Sequence, residues 1–486
     1  MHEVTAYGEI VLVVSLTLYL ALLANKATER FPIPGPALFL VGAAVASDLI
    51  PRLRTALPIL TVERLGVIAL IVILFDGGMH VGWRRLRGSI WPIASLGVLG
   101  TFATTGLIAL FGHWALGFSW TIAGLIGAAI APTDPAVMFS VLGNRQVGGR
   151  SGTILEGESG ANDPVGIALM LGLIALATTD SETASSVAAD FELQMVVGLA
   201  TGLVGGLALG WAMRRVSLPN DALYPLQTLA SAGIVYGLAS VAHGSGFLAV
   251  FVAGIVVGDV RAPYKGEIRR FHGSLASIGE ISVFVALGLT VSLQELFSDN
   301  RWLEGIALAL VISFVVRPLV VGVLLVPTRL RHGEKLFIAW SGLKGAVPIL
   351  LAAFALTEHV SGGPRIYDIV FVVVLFSVLV QGTGISRVAT RLGVPIRAIE
   401  PEPWSVSIRL RREPHDLRRF VVAAGSRAAG ETLSDIPLSD SGWVSMIVRD
   451  GEPVPARGST VLEPGDQVIV LADPPDHDKL QRLFEG

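Results

Sequence analysis

Six ionisable residues lie inside apolar runs long enough to cross a bilayer: Asp76, Asp134, Glu158, Asp163, Arg317 and Lys344. An ionised side chain at the centre of a membrane helix costs at least about 2.5–3.5 kcal/mol, so such residues face a partner or a wet cavity and serve a purpose. Four acids and two bases can largely neutralise one another within one cluster. The strongest local pattern is Ala131-Pro132-Thr133-Asp134-Pro135. Two prolines three apart remove backbone donors and break the helical ladder. At membrane depth such a break is tolerated only where protein or water satisfies the freed groups. Interrupted helices carrying polar side chains are how transporters build ion sites near the midplane. A plain proline kink is the alternative, and it leaves Thr-Asp between the prolines unexplained.

The following span begins Glu156-Gly157-Glu158-Ser159-Gly160-Ala161-Asn162-Asp163-Pro164. Glu156, Ser159 and Asp163 fall near one helical face, and Ser159 and Asn162 are i, i+3 neighbours. Hydroxyl, amide and carboxylate oxygens are the hard ligands an alkali cation prefers. Burial favours the neutral form of a carboxyl group, so one buried carboxylate can hold either a proton or a monovalent cation, and competition for it gives exchange. Ordinary capping acids at a helix N-terminus are the alternative, stronger for Glu156 than for Asp163. Asp76, in Leu74-Phe75-Asp76-Gly77-Gly78, either lines the cation route or braces the interrupted helix. Arg317, in Val316-Arg317-Pro318, requires an acidic partner, with Glu158 or Glu156 the candidates. Lys344 sits in a second Gly/Pro-interrupted run, Ser341-Gly342-Leu343-Lys344-Gly345-Ala346-Val347-Pro348, where it either neutralises oxygen dipoles or acts directly in transport. His80, His113, His243 and His359 fall near span ends, which favours interfacial placement over proton relay. Asp48 and Asp259 read as wet helix ends. Glu280 is intermediate, with a role in a cytoplasmic funnel or in pH sensing open to it.

The elements that position these residues follow from where charge is scarce. Of 75 charged residues among 486, 50 lie in the first 397 positions and 25 in the remaining 89. A globular protein carries about 25% charge, so the chain is a membrane body with a soluble tail. The absence of Cys excludes disulfides, Cys-ligated zinc, iron–sulfur clusters and thiol catalysis. A net charge of −3 gives no footprint for nucleic acid. Acidic Glu3 and Glu9 before the first apolar run argue against a cleaved signal peptide.

Spans of roughly the 20 apolar residues a bilayer requires are expected at 7–24, 34–50, 65–83, 91–112, 118–143, 154–178, 193–213, 221–242, 245–260, 272–292, 303–326, 335–357 and 367–386. The alternate loops of this thirteen-span reading hold 19 Lys and Arg on one side and 5 on the other. Basic residues accumulate in cytoplasmic loops, so the amino terminus is expected outside and the tail in the cytoplasm. The interrupted runs fall in spans five and twelve. Paired interruptions in corresponding places mark inverted repeats, with spans 1–6 and 8–13 as the two halves. The expected fold is an all-α polytopic membrane protein with crossed interrupted helices and a small α+β carboxyl-terminal domain.

At these residues the chain resembles the monovalent cation/proton antiporters of the CPA1 (NhaP-type) family. The resemblance rests on Thr133-Asp134, Glu158-Ser159-x-x-Asn162-Asp163-Pro164, Arg317-Pro318 and Gly342-Leu343-Lys344-Gly345-Ala346-Val347-Pro348, and it covers residues 7–390. It implies a core with crossed unwound helices, a dimerisation domain, a homodimer, and elevator-like alternating access in the plasma membrane. It implies that Asp163 binds the cation and the proton, and that Asp134, Thr133 and Ser159 supply or organise the shell, with Asp163, Thr133 and Ser159 as ligands of the transported alkali cation. Glu158, Asn162 and Arg317 would bracket the unwound region, with Lys344 and Asp76 further organising it. The Asn162-Asp163 pair is similar to the form associated with electroneutral exchange. Lys344 stands where many relatives have Arg, and Asp76 where Glu is common. Lys lacks the bidentate fork of Arg, which puts a fixed carboxylate bracket there in doubt.

In the tail, Leu417–Ala423, Trp443–Val448 and Gln467–Ala472 read as strands, with a helix-like segment about 430–436 and a terminal helix over 473–484. Pro464-Gly465-Asp466 is a turn signal. The run Val454-Pro455, Gly458-Ser459-Thr460, Leu462-x-Pro464-Gly465-Asp466-Gln467-Val468 resembles the TrkA-C (RCK-C) domain. That resemblance implies a sensor of a small molecule or nucleotide, although no G-x-G-x-x-G accompanies it; a packing domain without ligand is the alternative. The expected organisation is a transmembrane domain over 1–390, a linker over 391–403 and a cytoplasmic domain over 404–486. The leading function is exchange of K⁺ or Na⁺ for H⁺ without cofactor or enzymatic chemistry, K⁺ being favoured by the tail. The alternatives are Na⁺/H⁺ exchange without K⁺, a cation channel, for which no TVGYG-type filter is present, and an intramembrane aspartyl hydrolase, for which Tyr367-Asp368 has no Gly-x-Gly-Asp companion.

Overall fold

The computed structural model describes residues 34–134 (except 51 and 54–56), 138, 142, 145–398 (except 180 and 261) and 417–485 (except 437, 439–442, 451 and 472–476), with 15 and 19. The chain divides into two compact units, Met1–Ile399 and Glu400–Gly486.

In the first unit, α1 is Gly35–Leu49, α2 Ile59–Leu86, α3 Ile90–Leu116, α4 Trp120–Ile130, α5 Gly149–Thr178, α6 Ala184–Arg215 and α7 Leu223–Val241. They are followed by α8 Gly246–Gly258, α9 Lys265–Leu289, α10 Leu293–Ser298, α11 Arg301–Leu324, α12 His332–Trp340, α13 Ala346–Thr357 and α14 Gly363–Arg391. Each expected span from 34–50 onward meets a helix or a helix pair among the described residues, which leave out most of 135–143 in the span 118–143; the span 7–24 lies outside them but for 15 and 19. Among the described residues six helices are long and apolar enough to cross a membrane by themselves: α3, α5, α6, α9, α11 and α14. Gly198, Gly202 and Gly206 repeat every fourth residue on α6 and face α8 so closely that a Cβ at any of them would overlap it. Small residues are what allow helices to approach in lipid, where no hydrophobic effect drives them together. The turns of α3, α11 and α14 widen over Ser95–Gly100, Ile312–Val316 and Ser377–Gly382, local π geometry that often marks functional regions.

Contacts between connections sort by side. On one face Arg85 Nη2 lies 3.4 Å from Glu156, Arg150 donates to Gly88 O and Arg331 to Gly393 O. There too β1 (Arg145–Val147) pairs antiparallel with β2 (Ile396–Ala398), so the first part of the expected linker is a strand of this unit. On the other face Arg301 Nη1 reaches Asp368 at 2.6 Å, Arg365 pairs with Glu304, Thr357 Oγ1 donates to Glu63 at 2.6 Å, and Asp48 accepts from Leu293 N. Each of these contacts joins connections or span ends that the charge alternation assigns to the same side.

The second unit is a four-stranded antiparallel sheet in the order β3 (Leu417–Val421), β6 (Gln467–Leu471), β4 (Trp443–Arg449), β5 (Glu452–Val454), with α15 (His477–Phe484) on one face. Phe420, Ile447, Val468 and Val470 bury that face against Leu480, Leu483 and Phe484. The helix expected near 430–436 is absent. Gly430 has φ +84°, and Leu433 N and Ser434 N donate to Thr460 O and Gly458 O, so donors a helix would have used are committed across the chain. Thr432 also bonds to Ser434 and Asp435 locally, the competition that keeps Ser, Thr and Asp in turns.

Candidate functional site

Two interrupted helices cross at the deep acids. The first half-helix, α4, ends at Ile130, and Ala131 to Asp134 continue as non-helical chain. The second interruption is Ser341–Gly345, between α12 and α13. The two breaks are joined by a backbone hydrogen bond, Asp134 N to Leu343 O, 2.8 Å. Each exposed helix end is met by opposite charge. Lys344 Nζ donates to Ala131 O (2.9 Å) and Pro132 O (3.0 Å), the carbonyls that the end of α4 leaves without intrahelical partners. Asp134 lies at the N-terminus of α13, where the helix dipole favours an anion. It lies so close over Gly345 that a Cβ there would overlap its carboxylate. Gly342 is needed in the same way, because a Cβ would overlap Arg317 Nε.

The network around the crossing is buried. Arg317 pairs with Glu158 through both arms, Nη1–Oε1 2.5 Å and Nη2–Oε2 2.9 Å. Asn162 Nδ2 donates to Thr133 Oγ1 (2.8 Å) while Thr133 N donates to Asn162 Oδ1 (3.3 Å), a reciprocal clamp between α5 and the first break. Lys344 N donates to Ser377 Oγ, which donates to Gln381 Oε1, both 2.9 Å, tying the second break to the widened turn of α14. Of the six deep residues, Arg317 and Glu158 pair as anticipated. Lys344 spends its ammonium on carbonyl oxygens, and Asp76, Asp134 and Asp163 line a common cavity.

That cavity has a volume of about 420 Å³. It is lined by Asp163, Ser159, Asp134 and Ala346 and by Asp76, His80 and Glu156, the last of them beside Arg85. Asp163 is 4% exposed, and its Oδ1 has no hydrogen-bond partner among the described residues. Buried polar atoms in native structures almost always have a partner, so this oxygen is poised for a ligand. Ser159 shares the cavity wall, whereas Thr133 is held in the clamp with Asn162 and does not line it. His80 Nδ1 lies 3.4 Å from Asp76 Oδ2. Asp259, expected as a wet helix end, accepts from Arg84 N at 2.7 Å.

Sequence reasoning passed over His272, which is fully buried on α9 with Nε2 2.8 Å from Thr228 Oγ1. Glu280, for which a cytoplasmic funnel or pH sensing stood open, lines the cavity. The i, i+3, i+4, i+7 spacing of Gly273, Ala276, Ser277 and Glu280 was the available signal: small residues leading to one acid on a single face.

Crossed, interrupted helices around buried carboxylates, with the broken ends neutralised by protein charge, define an architecture of secondary transporters. The transmembrane sodium/hydrogen exchanger family matches residues 12–391 and the TrkA-C domain matches residues 417–485. The chain belongs to the sodium/hydrogen exchanger family, a family of antiporters. It is similar to the K(+)/H(+) antiporter NhaP of Alkalimonas amylolytica, 34% identical over 419 residues, covering 85% of this chain and 72% of that one. It is also similar to the K(+)/H(+) antiporter NhaP2 of Shewanella sp. (strain ANA-3), 30% identical over 478 residues, covering 97% and 83%. Among solved structures, the sodium proton antiporter MjNhaP1 of Methanocaldococcus jannaschii shares the fold at a TM-score of 0.67 and 24% identity, covering 81% of this chain and 99% of that one.

Proposed function

We propose that this protein exchanges a monovalent cation, K⁺ in preference to Na⁺, for H⁺ at Asp163, one charge for one charge and without a cofactor. The observation that carries the reading is the buried Oδ1 of Asp163, without a hydrogen-bond partner among the described residues, in a cavity that Ser159, Asp134 and Asp76 also line, beside a helix crossing held by Lys344 and Asp134. A single carboxylate that binds either a proton or a cation exchanges them when it is presented alternately to the two sides. Ser159 lies on the same wall to add a hydroxyl oxygen, and Thr133 with Asn162 fixes the first break. Glu158 and Arg317 brace α5 against α11, and Asp76 stands along the entry. K⁺ is favoured because relatives at 30% and 34% identity are named K(+)/H(+) antiporters and because a TrkA-C domain follows. On this reading the protein works in the plasma membrane as a homodimer, amino terminus outside and tail in the cytoplasm, where the tail takes a small-molecule or nucleotide regulator.

The test is proton movement in everted vesicles. Addition of K⁺ is expected to collapse an imposed pH gradient, and Asp163→Ala to abolish the response. Collapse by Na⁺ with none by K⁺ would replace the ion assignment. Cation-driven current without proton movement would sink the antiporter. Repeating the K⁺, Na⁺ and Li⁺ series without residues 404–486 tests regulation by the tail.

A further inference from the structure

The carboxylates lining the cavity outnumber the charges that answer them. Asp76, Asp134, Glu156, Asp163 and Glu280 all reach it. Arg317 is committed to Glu158 and Lys344 to two carbonyl oxygens; Arg85 stands by Glu156, and His80 by Asp76. Asp134 is met by the N-terminus of α13 over Gly345, which leaves Asp163 and Glu280 without a counter-charge beside them. Each of these two, like Asp76 and Glu156, has one oxygen buried and without a hydrogen-bond partner among the described residues.

Glu280 comes from a different wall. It lies on α9, which packs on α1, α2 and α7, whereas Asp163 lies on α5 and Asp134 at the helix crossing. The ionisable groups facing it across the cavity are Asp76 and His80 of α2, Asp134 of the first break, and Glu156 and Asp163 of α5; no charged side chain of α1, α7, α8 or α13 lines the cavity. Asp134 is near enough to act on it electrostatically. Gly273, Ala276 and Ser277 precede it on the same face of α9 and leave the open space along its approach. A lone acid on an otherwise small and apolar face, with a buried oxygen that no donor among the described residues satisfies, is expensive in a membrane helix unless something mobile neutralises it.

We propose that Glu280 is a second exchangeable carboxylate of the transport path, taking up the monovalent cation or a proton on the α9 wall before it passes to Asp163. This rests on the exchange reading above. Two carboxylates sharing a cavity of low dielectric repel, so ionising one disfavours ionising the other. A cation seated at Glu280 relieves that repulsion and eases release of the proton from Asp163.

The experiment uses the full chain in proteoliposomes, with KCl as probe. Glu280→Gln, which keeps shape and removes charge, is expected to raise the apparent KM for K⁺ at least about threefold and leave the maximal rate within about twofold. It should also shift the pH profile of exchange toward acid, because one repelling charge has gone. Glu280→Asp keeps the carboxylate and is expected to restore the wild-type profile. An independent readout needs no variant: a hydrophobic carbodiimide should modify Glu280 in the wild type, located by peptide mass, and K⁺ should slow that modification. A Gln variant with wild-type KM and pH profile overturns the proposal, as does a well-folded Gln variant with no exchange at all, or carbodiimide labelling indifferent to K⁺. Failure of the wild type to exchange would instead strike the function proposed for Asp163.

Discussion

Glu158 receives both arms of the Arg317 guanidinium in a site where the two side chains are 1% and 6% exposed. The pair fastens α5, which carries Asp163, to α11, and it does so without touching the cavity. Breaking a buried ion pair by removing one partner typically costs about 3–5 kcal/mol, because the other charge is left stranded. Arg317→Ala should therefore lower the unfolding temperature of the purified protein markedly and abolish exchange. Arg317→Lys keeps the charge without the planar fork, and an intermediate loss of both is expected. Equal thermal stability of Arg317→Ala and wild type would show that the pair does not hold the bundle.

Lys344 caps the end of α4 through Ala131 O and Pro132 O at 2.9 and 3.0 Å, and it is 2% exposed. Lys344→Met preserves most of the length but removes the donor. Each buried acceptor left unmet costs about 1–3 kcal/mol, so the variant should be destabilised and exchange should fall at least about tenfold. A Met variant with normal transport would limit the lysine to a dispensable contact.

How the crossing was legible follows from these two bases. Proline and glycine spacing located both breaks, the first at Pro132 and the second across Gly342 and Gly345. Arg317 demanded an acid, and the sequence narrowed it to Glu158 or Glu156. Those two acids lie two residues apart, on opposite sides of one helix: Glu158 turns to α11 and Glu156 to the cavity and Arg85. Helical spacing gives faces but not the neighbour each face meets, so that choice stayed open. The same limit hid His272, whose partner Thr228 lies 44 positions away on α7. The β1–β2 pair is three residues long and joins segments about 250 positions apart, below any periodic signal. In the tail, alternation found the longer strands, whereas the supposed helix at 430–436 failed because its backbone donors are satisfied by residues 458–460.

Gly345 tests the crossing at the smallest scale. An added Cβ would overlap Oδ2, Cβ and Cγ of Asp134. Gly345→Ala must move Asp134 out of the cavity or part the two breaks, and either outcome removes an acid from beside Asp163. Exchange should fall by at least about tenfold in vesicles, with protein still present in the membrane. Gly77, which has open space where its Cβ would be, is the control, and Gly77→Ala should fold normally.

The tail carries a pH-dependent clasp of its own. Asp466 accepts Nε and Nη2 of Arg449 at 2.8 and 2.9 Å and the amide of Glu463 at 2.8 Å. The hydrogen bonds from Arg449, helped by that amide and by the guanidinium charge, hold its carboxyl below the usual carboxylate range. A carboxyl depressed in the folded state stabilises that state fully above its unfolded pKa, about 3.9, and loses the contribution as pH falls through the lower folded value. The clasp is therefore constant from pH 5 upward, and acid weakens it only below about pH 4. Asp466→Asn removes the charge at every pH, so amide protection of β4 and β6 in the full-length protein should drop at pH 7 in the variant. On acidification, wild-type protection should fall toward that of the variant. Equal protection at pH 7 would mean that the turn, not the charge pair, holds the end of β6.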